Sequence, residues 1–125
     1  MFATTKAFSG FSVDDIPAAK AFYGETLGVT VSEENGMLTL HLAGDRVTLV
    51  YPKPDHVPAT YTILNFPVDD IVDAVRRLTE RGVRFERYEH VGMDDDGIAR
   101  AGGPLIAWFK DPAGNILSVI ESPQP

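Results

Sequence analysis

The chain has 125 residues, with 18 acidic against 11 basic side chains, a formal charge of −7 and 44% hydrophobic residues, the balance of one compact domain or two small halves sharing a core. The acidic excess gives no electrostatic footprint for nucleic acid and is repelled by an anionic bilayer surface, so neither is an expected partner. There is no cysteine, which removes disulfides, thiolate metal sites and cysteine nucleophiles. Residues 1–15 carry no secretory apolar core and no run approaches the ~20 residues of a bilayer span, so the expected address is the cytoplasm.

In chain order, residues 6–13 read as a strand that leads into Val13-Asp14-Asp15-Ile16. Pro17 then opens a helix whose stripe is Ala19, Phe22 and Leu27, ending at Gly28. Strands follow over 29–32, 38–42 and 46–51, with turns at 33–36 and 43–45. This first half reads βαβββ. Residues 52–58 hold three prolines and cannot continue a ladder, so they form a connector. A second strand over 60–68 ends in Val68-Asp69-Asp70-Ile71, the first tetrapeptide repeated 55 positions later. Ile71, Ala74, Val75 and Leu78 line one face of the helix that follows, which ends near Gly82. A strand over 83–87 and a hairpin of 104–109 with 115–120 around Asp111-Pro112-Ala113-Gly114 complete a second βαβββ half. Between them, 88–103 is a long polar stretch containing Asp94-Asp95-Asp96-Gly97, expected to be a functional loop.

The duplicated unit, the V-x-D step from strand to helix, Phe22-Tyr23 followed by Leu27-Gly28, and the closing Trp108-Phe109-Lys110-Asp111-Pro112-x-Gly114-Asn115 together resemble the vicinal oxygen chelate superfamily. That group holds glyoxalase I, bleomycin-resistance proteins, fosfomycin-resistance enzymes and extradiol dioxygenases, and the likeness covers residues 5 to 121. It implies an α+β fold of two βαβββ modules (5–51 and 59–121, joined by connector 52–58, one domain over 1–125), whose curled mixed sheets enclose a ligand cavity, often in a dimer. It also implies a divalent metal in the enzymes, held at positions that fall here on Phe8, about Thr48, Ile63 and Ser118. Phe8 and Ile63 carry no donor and the hydroxyls are poor ones, so no metal and no cofactor are expected. Register slips of two residues reach only Lys6, Gly10, Tyr61, Asn65, Ile116 and Ile120, and Glu121 lies an odd number of residues from Ser118, on the opposite face.

Without a metal, the inward positions Phe8, Gly10, Ser12, Thr48, Ile63, Asn65 and Ser118, together with Trp108 and His41, predict a mostly apolar pocket with a few polar handles, suited to a small aromatic or aliphatic molecule. Asn65, read as a buried amide, needs hydrogen-bond partners that water or a ligand across the cavity supplies. His56, among prolines, is expected to be solvated, as is the Asp94–Asp96 run, which lacks the register of a calcium loop. No Ser/His/Asp grouping is visible in the spacing. The favoured expectation is a metal-independent homodimeric binding protein of the bleomycin-resistance type, used for sequestration or resistance. Two alternatives stay open: a glyoxalase- or dioxygenase-like enzyme with a non-standard metal or cofactor-free site, acting through His41 or a loop carboxylate, and a module whose filled cavity serves protein association.

Overall fold

A computed structural model describes residues 1–100 and 102–122. They form two compact units, Met1–Val57 and the chain from Pro58 onward, so the division falls inside the proline-marked connector.

The first unit is β1 (Ser9–Val13), α1 (Ile16–Ala21), β2 (Thr30–Glu34), β3 (Met37–Leu42) and β4 (Arg46–Pro52), in sheet order β1-β4-β3-β2 with β1 parallel to β4. This is the expected βαβββ order. Pairing of Phe11 with Val50, and of Leu38 and Leu40 with Val50 and Thr48, sets these side chains on one face. That face is the buried one, as strand alternation requires when a helix covers only one side. Asp15 caps α1 by accepting the Ala18 N–H at 3.0 Å, with Pro17 in the opening turn. Past Ala21 the helix widens into a π turn over Phe22–Thr26, closed by the Leu27 N–H on the Phe22 carbonyl at 2.9 Å. Tyr23 is fully buried there, edge-on to Phe22 at 5.3 Å and 5.8 Å from the Phe11 ring. Each such buried side chain contributes about 1.5–3 kcal/mol through area removed from water.

The second unit is β5 (Thr62–Val68), α2 (Ile71–Glu80), β6 (Ile106–Lys110) and β7 (Ile116–Glu121), ordered β5-β7-β6 with β5 parallel to β7. The repeated tetrapeptide does the same work twice: Asp70 accepts the Asp73 N–H at 3.1 Å as Asp15 accepts that of Ala18. Glu121 adds a carboxylate beneath the start of α2, accepting the Ile71 N–H at 3.0 Å, which places it on the helix-covered face, as its odd spacing from Ser118 requires. Gly28 and Gly82, at φ 74° and 93°, end the two helices in the left-handed conformation that glycine adopts without a Cβ penalty.

Two elements differ from expectation. Residues 83–87 do not form a strand: Phe85 makes a single bridge to Phe109, the Glu86 N–H reaches the Trp108 carbonyl at 2.7 Å, and pairing stops. Arg87 instead directs its guanidinium to the carbonyl oxygens of Asp94 and Asp95, holding the chain to its neighbouring loop. The second half therefore carries a three-stranded sheet with one bridged residue beside it. The 88–103 stretch, for its part, is less of a polar loop than expected. Met93 pairs with Ala99 and Ala99 with Ile106, and Ile98 is fully buried.

The tip of that stretch is organised by Asp94. Its Oδ1 accepts the N–H groups of Asp96 and Ile98 at 2.9 and 3.0 Å, and its Oδ2 meets Arg100 Nε at 2.6 Å. Partial desolvation opposes ionisation, but the Ile98 N–H, the Arg100 side chain and the Asp96 N–H outweigh it and hold the carboxyl below its ordinary value of 3.8. A carboxyl depressed in the folded state stabilises above its unfolded value and stops doing so as pH falls through the folded one. Protection of the Asp96 and Ile98 amides, measured relative to their intrinsic exchange rates at each pH, is therefore expected to fall below pH 3.8. At neutral pH, Asp94→Asn, which keeps the acceptor but loses the charge opposite Arg100, is expected to raise exchange at the same amides about threefold, the size of a surface ion pair. Residue-resolved hydrogen exchange by NMR checks both.

Candidate functional site

In the second unit, alternation sends Leu64, Phe66, Leu117, Val119, Ala107 and Phe109 to the face shared with α2. The other face carries Thr62, Asn65, Ser118 and Trp108. Asn65, Ser118 and Trp108 stand side by side in one cross-strand row, since Asn65 pairs with Ser118 and Ser118 with Trp108. Trp108 N–H donates to Thr62 Oγ1 at 3.1 Å. Thr62 is on β5 and Trp108 on β6, so the indole crosses β7. Ser118, fully buried, donates to Asn65 Oδ1 at 2.5 Å. Tyr88 stands edge-on to the indole at 5.5 Å.

The face of the first sheet turned away from α1 carries Gly10, Ser12, Thr39, His41, Leu49 and Tyr51. Two hydroxyl–imidazole pairs lie in this unit: Ser12 Oγ and His56 Nδ1 at 2.6 Å, and Ser32 Oγ and His41 Nε2 at 2.8 Å. A bond of that length orients the ring, and the hydroxyl can donate to the imidazole nitrogen or accept from it.

The pattern of the Glyoxalase/Bleomycin resistance protein/Dioxygenase superfamily matches residues 7–119. The chain belongs to that superfamily. A glyoxalase family protein from Enterococcus faecalis is similar over 97% of this chain and 100% of its own, at 25% identity and TM-score 0.71. TnmS3, an antibiotic-binding protein from Streptomyces sp. CB03234, is similar over 96% and 98%, at 25% identity and TM-score 0.69. A bleomycin-binding protein solved with bleomycin shares the fold over 96% and 100%, at 22% identity and TM-score 0.68. No curated protein sequence matches the chain.

Seen as a superfamily member, the chain places the expected site residues unevenly. Ser12 and His41 lie on the face of the first sheet away from α1, and Asn65, Trp108 and Ser118 share one face of the second. Thr48 does not join the first group: it pairs with Ser9 and Leu40, is buried on the helix-covered face, and its hydroxyl lies 3.3 Å from Ser9 Oγ. Strand parity decides this, because Ser9 and Phe8 point opposite ways. Phe8 itself precedes β1 and is 64% exposed, and Ile63 sits in the β-bulge between Thr62 and Leu64. Asn65 is exposed, not buried, and its carbonyl is taken by Ser118. His56 is not simply solvated, as its bond to Ser12 shows. That pair was invisible in the sequence because 44 residues separate its members and only the parallel pairing of β1 with β4 carries the chain back to Ser12.

The metal positions of the superfamily offer a poor donor set here. A phenyl ring and a sec-butyl group cannot ligate, the Thr48 hydroxyl faces the helix side, and the Ser118 hydroxyl donates to Asn65. Among the described residues, no three His, Asp or Glu side chains gather in a group able to hold a metal ion, whereas transition-metal sites use three or four such donors. These residues do not fit a divalent ion. Among the described residues no helix is long and apolar enough to cross a membrane.

Proposed function

We propose that the chain is a small-molecule binding protein, cytoplasmic and homodimeric, that holds a planar organic ligand on the Trp108 face of the β5-β7-β6 sheet by contact and hydrogen bonding, without a metal. The observation that carries this reading is the Trp108 indole laid across β7 with its N–H already satisfied by Thr62. A tryptophan anchored in this way is rigid before any ligand arrives, so little side-chain entropy is lost on stacking. Asn65 is exposed and its carbonyl is occupied by Ser118, so what it has to offer a ligand is its amide NH2, a donor. That two similar structures are an antibiotic-binding protein and a bleomycin-binding protein supports a small-molecule ligand, and a resistance or sequestration role needs nothing beyond binding.

Trp108 is the single tryptophan of the chain, so its fluorescence reports this site alone. Titration with neutral aromatic compounds in the presence of a chelator is expected to give saturable quenching and a raised melting temperature, since a ligand that binds only the native state stabilises it. Flat emission across a broad aromatic panel would refute the reading. Light scattering at twice the monomer mass tests the dimer.

A second reading, cofactor-free acid–base catalysis, is favoured by one observation, the 2.6 Å bond between Ser12 and His56. It expects a bound compound to be chemically converted over time, with turnover falling about 100-fold or more in His56→Ala, the scale on which a positioned proton-transfer group acts. Mass spectrometry of the recovered compound separates the two readings.

A further inference from the structure

The Tyr88 hydroxyl is buried and, among the described residues, has no hydrogen-bond partner. The accounting around it makes this unusual. The indole N–H of its ring neighbour Trp108 is bound to Thr62, the Ser118 hydroxyl to Asn65, and the Lys110 ammonium, the nearest cation along β6, is 3.5 Å from Glu86. Each of these three groups already has a protein partner for the atom that would otherwise serve Tyr88. Native proteins leave few such buried groups unpaired, and those they do leave are commonly met by a water or a ligand.

We propose that Tyr88 is a ligand-binding residue whose hydroxyl donates to a carbonyl-type acceptor on a neutral, planar aromatic molecule seated against Trp108. The inference rests on the small-molecule reading above and names the ligand's chemistry. Three features fix that chemistry. Tyr88 meets the indole at an interplanar angle of 76°, a corner that a flat ring extends by stacking. The unpartnered phenol carries an O–H, and the nearest side-chain carbonyl of the row, Asn65 Oδ1, is already taken by Ser118, so a ligand acceptor is what satisfies that proton. Burial raises the phenol above its ordinary value of 10.0 and the nearby Glu86 carboxylate raises it further, against a smaller opposite effect of Lys110, so the proton stays on the oxygen at any physiological pH. A carboxylate or phosphate ligand is disfavoured, because the Lys110 ammonium is paired with Glu86 and the chain carries a charge of −7. Ring ketones, lactones and cyclic amides remain.

The test uses two bicyclic probes of similar size, coumarin, which bears a lactone carbonyl, and naphthalene, which has no acceptor. Quenching of Trp108 is measured in the wild type and in Tyr88→Phe, which keeps the ring and its packing. The expected result is coumarin affinity about five- to tenfold weaker in the variant, the scale of one neutral hydrogen bond, with naphthalene affinity unchanged and the unliganded melting temperature equal or higher. Equal effects on both probes, or none on either, would overturn the role of the hydroxyl while leaving the Trp108 site standing. Failure of both probes to quench the wild type would overturn the site and the hydroxyl's role with it.

Discussion

Asp111→Ala is expected to remove about 4 kcal/mol of stability, the largest loss of any single polar substitution in the second unit. Asp111 is only 5% exposed, and its carboxylate holds the β6–β7 turn from inside. Oδ1 accepts the N–H groups of Ala113 and Asn115 at 3.0 and 2.8 Å, and Oδ2 accepts Asn115 Nδ2 at 3.0 Å. Asn115 is itself buried, so alanine would strand a backbone donor and a side-chain donor where water cannot replace the lost acceptor. Asp111→Asn keeps one acceptor for the turn but sets an amide NH2 against Asn115 Nδ2, and is expected to cost about half as much. Thermal unfolding checks the order, with a fall of about 15 °C for alanine at the usual entropy of a chain this size. A turn that tolerates alanine with a shift under about 3 °C would show that the buried carboxylate is not what holds it.

The second large effect concerns binding. Trp108→Ala is expected to weaken any aromatic ligand of this site about 100-fold, because it removes the stacking surface and the indole that crosses β7 above Ser118. Some loss of fold stability accompanies it, since the residue is half-buried, so Trp108→Phe serves as the companion variant. Phenylalanine keeps an aromatic surface while giving up the bond to Thr62. It is expected to fold normally and bind about tenfold more weakly, a loss of pre-organisation and not of the site. Calorimetric titration measures both, tryptophan emission being lost in each variant.

The frame was legible where residues act locally. Asp15 and Asp70 declared two helix starts, each capping within three residues, and Gly28 and Gly82 declared the ends. The odd spacing of Glu121 from Ser118 was enough to put that carboxylate on the helix side. Local signals failed where a partner lay elsewhere. Residues 83–87 have the composition of a strand, yet only Phe85 pairs with β6, since Arg87 is drawn to carbonyls of the following loop. Ile98, in the midst of aspartates and glycines, is core, which no run of polar neighbours announces.

The site shows the same division. Asn65 and Ser118, which follow from the superfamily resemblance together with strand alternation, stand in one row with Trp108, because alternation within a regular ladder is a local rule. Thr48 lies on the other face because strand parity depends on which residue faces which, and the partner of Ser9 is set by the sheet and not by either strand alone. The Ser12–His56 bond and the unpaired Tyr88 hydroxyl had no local signal, since each is a relation between segments distant in sequence.

Metal-independent binding on the Trp108 face is tested by a Trp108 fluorescence titration with coumarin, made on protein stripped with chelator and repeated after addition of Zn, Ni, Mn or Fe salts. Saturable one-to-one binding with the same affinity in every sample is expected, with no stoichiometric metal retained after dialysis. Binding that appears only with a metal present, together with tight one-to-one uptake of that metal, would contradict it.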